Sequence, residues 1–197
     1  MDNSHGWFDR KAVWSNMAPL TCHADTPCSS VSGLRAAVHW QEGRSLAVKF
    51  RIKGTPSRWR LPDPAQCERT DGLWQTTCFE LFIGIGDTSR YYEFNLSVSG
   101  QWAAYAFESY REGMTPLHLP ATPVIGSALF ADSLVLKTVL DLNAIELRAV
   151  PIRLGLSAVI EEADGQKSCW ALRHPPGKPD FHHKDCFALN LAAPEAP

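Results

Sequence analysis

Apolar and polar residues alternate with period two through much of the chain. In Cys78-Phe-Glu-Leu-Phe-Ile-Gly84, Phe79, Leu81 and Ile83 fall on one face, and Glu80 and Phe82 on the other. In Tyr91-Tyr-Glu-Phe-Asn-Leu-Ser-Val98, Tyr92, Phe94 and Leu96 make an apolar face while Glu93 and Asn95 project the opposite way. Successive side chains of a strand point to opposite sides of a sheet, so both runs read as half-buried strands. Similar patterning predicts strands at Leu34–Trp40, Ser45–Lys53, Gln101–Phe107, Leu134–Leu140, Leu154–Glu161, Ser168–His174 and Phe187–Leu191. Turn residues punctuate them at Glu42-Gly43, Gly54-Thr-Pro56, Gly86-Asp87, Ser99-Gly100 and Asp164-Gly165, the last a hairpin signal.

Only Leu142–Arg148 suggests a helix, a turn or two long, and Ile145 and Leu147 would equally suit a short strand. Pro116–Pro123 reads as a loop crossing an edge or an end of the sheets. Short strands with hairpin punctuation and no helix–strand alternation predict an all-β fold, an antiparallel β-sandwich of jelly-roll type.

Length and composition narrow the setting. A chain of 197 residues suits one well-cored domain, assigned to residues 19–197, and Met1–Ala18 reads as an N-terminal extension without strand pattern. The net charge of −2 and the lack of any basic run remove the attraction that nucleic acids and acidic membrane surfaces require. Neither is an expected partner. No segment is apolar for long enough to cross a bilayer as a helix, and the N-terminus has no signal-like apolar run. A cytoplasmic location with reduced thiols is therefore expected. Of the six cysteines, Cys78, Cys169 and Cys186 lie in strand-like runs as small core residues.

The candidate chemistry lies on the polar faces. Carboxylates in mid-strand are unfavourable unless something compensates them, which singles out Glu80 and Glu93. If their strands are neighbours, these acids and Asn95 share a surface flanked by Trp74, Tyr91 and Trp102. Acids and amides between aromatic plates suit a polyhydroxylated ligand, with rings on its C–H faces and polar groups on its hydroxyls. The structural alternatives are a solvated outer face, an ion pair with Arg69 or Arg111, and tryptophans that merely close the core; Trp170, beside Leu172, is assigned to the core.

The His174–Cys186 loop is the densest titratable group. It has four readings: a cap on the binding end contributing Lys178, Asp180 and His182 or His183; a metal site; axial histidines for haem with Met114 or Met17 opposite; or a structural plug. Its spacing matches no standard zinc pattern and no haem-attachment signal. Asp71, Asp87 and Asp164 could offer oxygens to calcium, but turn formation explains them too. Paired carboxylates also serve glycoside hydrolysis, a reaction that depends on a separation the sequence does not give. No nucleophile elbow or phosphate-cradling glycine loop occurs. The expectation is a non-catalytic protein without a cofactor.

Arg69–Gly84, Tyr92–Ser97 with Gly100-Gln-Trp102, Leu154–Glu161, and Cys169–Pro175 with Pro179–His183 together resemble the DOMON-like domains related to family 9 carbohydrate-binding modules. The resemblance runs from Leu20 to Leu191. It implies a β-sandwich that binds sugars or, in other branches, haem, with calcium sometimes structural. In the sugar-binding relatives, aromatic rings clamp the ligand while acids, amides and an arginine bond its hydroxyls. The site expected here is Trp74, Glu80, Glu93, Asn95 and Trp102, with Arg69, His182 and His183 as accessory contacts. The alternatives are a haem- or metal-dependent redox module and a protein-interaction domain.

Overall fold

The computed structural model describes residues 16–41, 43–147 and 150–194. Its strands are β1 (Ala18–Cys22), β2 (Val31–Trp40), β3 (Ser45–Gly54), β4 (Cys78–Ile85), β5 (Tyr91–Leu96), β6 (Trp102–Phe107), β7 (Thr115–Pro116), β8 (Val124–Leu129), β9 (Ser133–Asp141), β10 (Ile152–Glu161), β11 (Lys167–Ala171) and β12 (Leu189–Leu191). They pair in the order β7-β6-β5-β4-β10-β11-β1-β2-β3-β9-β8, with β12 added beside β10. Every strand pairing is antiparallel.

One curled sheet becomes two layers at β1. Ala18–Leu20 pair with β2, whereas Thr21 and Cys22 pair with Ala171 and Trp170 of β11. The apolar parity of each strand then fills the space between the layers. Leu34, Leu46, Val48, Phe50, Ile52, Leu134 and Leu136 come from one layer; Phe79, Leu81, Ile83, Phe94, Leu96, Leu154 and Leu156 come from the other. The Phe50 and Phe79 rings meet across the interface, 5.1 Å between centroids. Trp170 is buried in the same cluster.

β4 and β5 are buried along their whole length, not on one face only. A second apolar cluster lies on their outer side, made of Leu73, Cys78, Phe82, Tyr91, Ala103, Tyr105 and Phe107, with Phe181 and Phe187 packed on it. The loop between β11 and β12 supplies those last two rings. A side chain at Gly155 would put its Cβ 2.8 Å from the Phe187 ring, so glycine lets the ring lie against β10.

Three strands lie outside the sequence expectation, for identifiable reasons. β1 is short and contains Pro19, which weakens a strand signal. β7 has two residues, and β8 is an edge strand with Val124 and Leu129 exposed, so neither carries an alternating pattern. Leu142–Leu147 forms neither the helix nor the strand considered for it. Ile145 N–H donates to the Leu142 carbonyl and Leu147 N–H to that of Ile145, a tight turn that tucks both side chains under the core. Arg148, Glu42 and residues 1–15 of the N-terminal extension lie outside the described residues. All six cysteines are free.

Phe79 is fully buried between the layers. Phe79→Ala is expected to lower the unfolding free energy by about 3–5 kcal/mol, read from urea denaturation.

Candidate functional site

The outer face of the second layer carries a hollow of about 780 Å³. Strand parity sets its floor. Glu80 of β4 lies opposite Asn95 of β5 and Ser157 of β10, and Glu93 lies opposite Phe82 and Tyr105. The two carboxylates are therefore diagonal neighbours on one face. Glu80 is only 3% exposed and Glu93 6%, yet both line the hollow.

Neither glutamate has a full counter-charge. Ser157 Oγ donates to Glu80 Oε2 at 3.1 Å, and Asn95 Nδ2 donates to Glu93 Oε1 at 2.7 Å. Arg69 and Arg111, the partners considered from sequence, are engaged elsewhere. Arg69 Nη2 sits 2.8 Å from Asp71 Oδ1, and Arg111 Nη2 donates to Asp180 Oδ1 at 2.8 Å. Burial, and then the charge of Glu93, push Glu80 up to about 8. Burial also raises Glu93, against the hydrogen bond from Asn95. The pair thus holds a proton at neutral pH.

The walls come from three loops. Gly72, in the left-handed region at φ 78°, turns the chain so that Leu73 enters the outer cluster while Trp74 stands 54% exposed at the rim. Arg69 lies over the Tyr105 ring, 5.3 Å from its centroid. Tyr105 O–H donates to Asp71 Oδ1 at 2.5 Å; with burial, this bond pushes the phenol up to about 12 and, with Arg69, lowers Asp71. Arg111 occupies the turn after β6 at φ 57°, a left-handed conformation uncommon outside glycine, with Asp180 holding its guanidinium. Tyr110 O–H also bonds Asp180. Burial opposes the charge on Asp180, but these two donors hold it below its ordinary value.

His182 comes from the β11–β12 loop and packs edge-on against Phe82 and Phe107. Its Nδ1 lies 2.8 Å from Tyr91 Oη, and Tyr91 Oη accepts the Arg111 N–H at 3.2 Å. Burial and then the Arg111 charge push His182 down to about 4, so the ring is neutral. The other ring nitrogen, Nε2, lies 3.8 Å from Glu93 Oε2.

Of the residues expected from sequence, Arg69, Trp74, Glu80, Glu93 and His182 all line the hollow. Asn95 sits behind the floor, fully buried, and orients Glu93. Trp102 requires a correction. It pairs with Leu96 across the β5–β6 hairpin and joins the core between the layers, away from Glu93. His183 is also elsewhere: its Nδ1 accepts the Asp185 N–H at 3.2 Å and caps the short turn at Lys184–Cys186. Tyr105, Phe107 and Phe181, none of them expected from sequence, also line the hollow, as does Met114, considered from sequence only as a haem ligand. Tyr105 and Phe107 share the parity of Ala103, a signal that emerges only once the hairpin register is known.

The loop is a plug as well as a wall. Phe181 and Phe187 cover the outer cluster, and Cys186 Sγ donates to the Asp180 carbonyl at 3.1 Å. Of the residues considered for haem, His182 Nε2 faces a carboxylate, His174 Nε2 is bound to the Thr21 carbonyl, Met17 lies in a separate groove, and Met114 lines the same hollow as His182. The aspartates considered for calcium do not converge: Asp71 is tied to Tyr105 and Arg69, Asp87 borders a different pocket, and Asp164 accepts the Gln166 N–H within its turn. Among the described residues, no group of three or more His, Cys, Asp or Glu is arranged to hold a metal.

No family model matches the chain, and no curated protein matches it in sequence. Solved structures do match. One is a candidate carbohydrate-binding protein from Bacteroides uniformis, with a TM-score of 0.65 at 15% identity over 86% of this chain and 83% of that one. Another is a family 9 carbohydrate-binding module from Caldicellulosiruptor kristjanssonii in complex with cellotriose, with a TM-score of 0.50 at 10% identity over 82% and 74%. At such identities the likeness bears on the fold, an antiparallel β-sandwich.

Glu80 and His182 give opposing pH dependences of stability; Glu93 acts in the sense of Glu80, and His39 and His174 in the sense of His182. Glu80 is raised in the folded state, so its contribution is full below its unfolded value near 4.5 and is lost as pH rises through about 8. His182 is depressed, so its contribution is full above about 6.5 and is lost as pH falls toward 4. The two offset below about pH 6.5. Between about 6.5 and 8, stability is expected to fall with rising pH, by at most roughly 1.4 kcal/mol per unit for one proton. Urea denaturation across that range checks this, and Glu80→Gln is expected to flatten the slope.

Proposed function

We propose that the protein is a non-catalytic binding module for a carbohydrate or similar polyhydroxylated small molecule. The hollow on the outer face of the second layer is its site. The observation that carries this reading is the pairing of an exposed indole, Trp74, with buried hydrogen-bonding carboxylates beneath it in a cavity of about 780 Å³. A sugar ring has an apolar C–H face and an equatorial belt of hydroxyls. Trp74 offers a flat surface for the first, and Glu80, Glu93, Arg69 and Arg111 offer acceptors and donors for the second.

Rigidity supports the same reading. The floor residues stand on paired strands, and Asn95 and Ser157 fix the carboxylates before any ligand arrives, which limits the entropy lost on binding. Asp71 and Asp180 hold the two guanidinium groups in the same way. The likeness to solved carbohydrate-binding structures, one of them holding cellotriose, agrees with this ligand class.

Glycan-array screening followed by calorimetry tests the proposal, with a pair of tryptophan variants separating site from scaffold. Trp74→Ala is expected to weaken binding about three- to tenfold, on the order of 1 kcal/mol for one ring contact, with little change in stability. Trp102→Ala is expected to destabilise the fold by about 3–5 kcal/mol instead. Binding that is absent from the array, or unaffected by Trp74→Ala, would remove the hollow as the sugar site.

A further inference from the structure

The charges around the hollow do not balance, and the imbalance has a definite location. Four carboxylates (Asp71, Asp180, Glu80 and Glu93) surround two guanidinium groups, Arg69 and Arg111. Each guanidinium already has an aspartate 2.8 Å away at the rim. The floor pair is left over. No lysine lines the hollow among the described residues, and His182, the remaining basic group there, is neutral.

Glu80 is the sharper case. It is 3% exposed, and Ser157 Oγ, its one hydrogen-bond partner among the described residues, donates to Oε2. Glu93 keeps Oε1 on Asn95 and turns Oε2 toward the neutral His182 at 3.8 Å. A buried carboxylate with unfilled acceptor positions, directed into an open cavity, calls for a donor from outside, and a charged donor answers it best. Phe107, Tyr105 and Trp74 line the same cavity, and aromatic faces favour a cation where a second anion would gain nothing.

We infer that the ligand brings a protonated amine to Glu80 and Glu93, so that the site selects an amino sugar over neutral and acidic sugars. This rests on the sugar-binding reading and names its substrate class. The ammonium donates to both carboxylates and takes the place of the proton held at Glu80. Binding therefore releases up to one proton: ligand ammonium plus singly protonated pair gives the complex with both acids ionised and a free proton. Arg69 and Arg111 remain with their aspartates and reach ring hydroxyls at the rim.

Calorimetry on the full chain tests this with glucosamine, glucose, N-acetylglucosamine and glucuronate at about pH 6.5, where a sugar amine is charged. Glucosamine is expected to bind on the order of ten- to a hundredfold more tightly than glucose, as charge-assisted hydrogen bonds do relative to neutral ones. N-acetylation should abolish the gain. Titrations in two buffers of different ionisation heat should report proton release for glucosamine and none for glucose. Glu80→Gln keeps an acceptor for Ser157 but cannot ionise, and should bring the glucosamine-to-glucose affinity ratio toward one. If that variant fails to fold, proton release by the wild-type chain carries the test.

Equal affinities for glucose and glucosamine, or tighter binding of glucuronate, would overturn the inference while leaving a sugar site in place. If none of the four sugars binds and the glycan array is also blank, the sugar-binding reading falls with it.

Discussion

A carboxylate taken out of water must find hydrogen bonds, a counter-charge or a proton, and this domain buries two of them side by side. Glu80 and Glu93 occupy the outer face of a sheet whose inner face is already committed to the core. Covering that outer face completely with apolar groups would strand both acids. Leaving it open would waste the Phe82, Tyr91, Tyr105 and Phe107 rings that share it. The structure takes an intermediate course. Rings and a loop cover the periphery, Ser157 and Asn95 each donate one bond, burial favours a protonated Glu80, and a hollow stays open above the acids.

The β11–β12 loop makes this arrangement durable. Phe187 rests on β10 where Gly155 leaves room, Phe181 joins the outer cluster, and Cys186 and His183 lock the loop's own backbone. Asp180 then reaches across to Arg111 and Tyr110 on the β6–β7 turn, while His182 reaches Tyr91. Two loops far apart in sequence are thereby joined above one sheet. Their bonds fix the wall of the hollow without any floor residue taking part. Structural plug and site wall are the same segment, which is why the plug and cap readings of its histidine-rich sequence do not exclude each other.

The electrostatics follow the same separation of roles. Ion pairs at the rim are partly solvated and contribute little net stability, but they orient guanidinium groups. The floor is drier, and there the balance is carried by protonation. A site built this way responds to the charge of whatever enters it. Its acids ionise when a cation arrives and keep their proton when a neutral group does.

How much of this was legible beforehand depends on the range of the interaction. Period-two alternation is a local property of the chain, so the two faces of β4 and β5, and the antiparallel sandwich they belong to, followed from sequence alone. Glu80 and Glu93 were identifiable because a carboxylate in mid-strand is unfavourable unless something compensates it, and Asn95 because alternation puts it on the face of Glu93. Trp102 was misplaced because its face depends on the hairpin register: pairing with Leu96 turns it inward and leaves Tyr105 and Phe107 outward. Nor could the chain announce that Arg111 would join Asp180 rather than a glutamate, since nearly seventy residues separate them and only the folded loops bring them together. Sequence determined which side chains share a face, because that needs only neighbouring dihedral angles. Tertiary structure decided which face is covered, which charges meet and where a hollow remains, because those depend on contacts between segments distant in the chain.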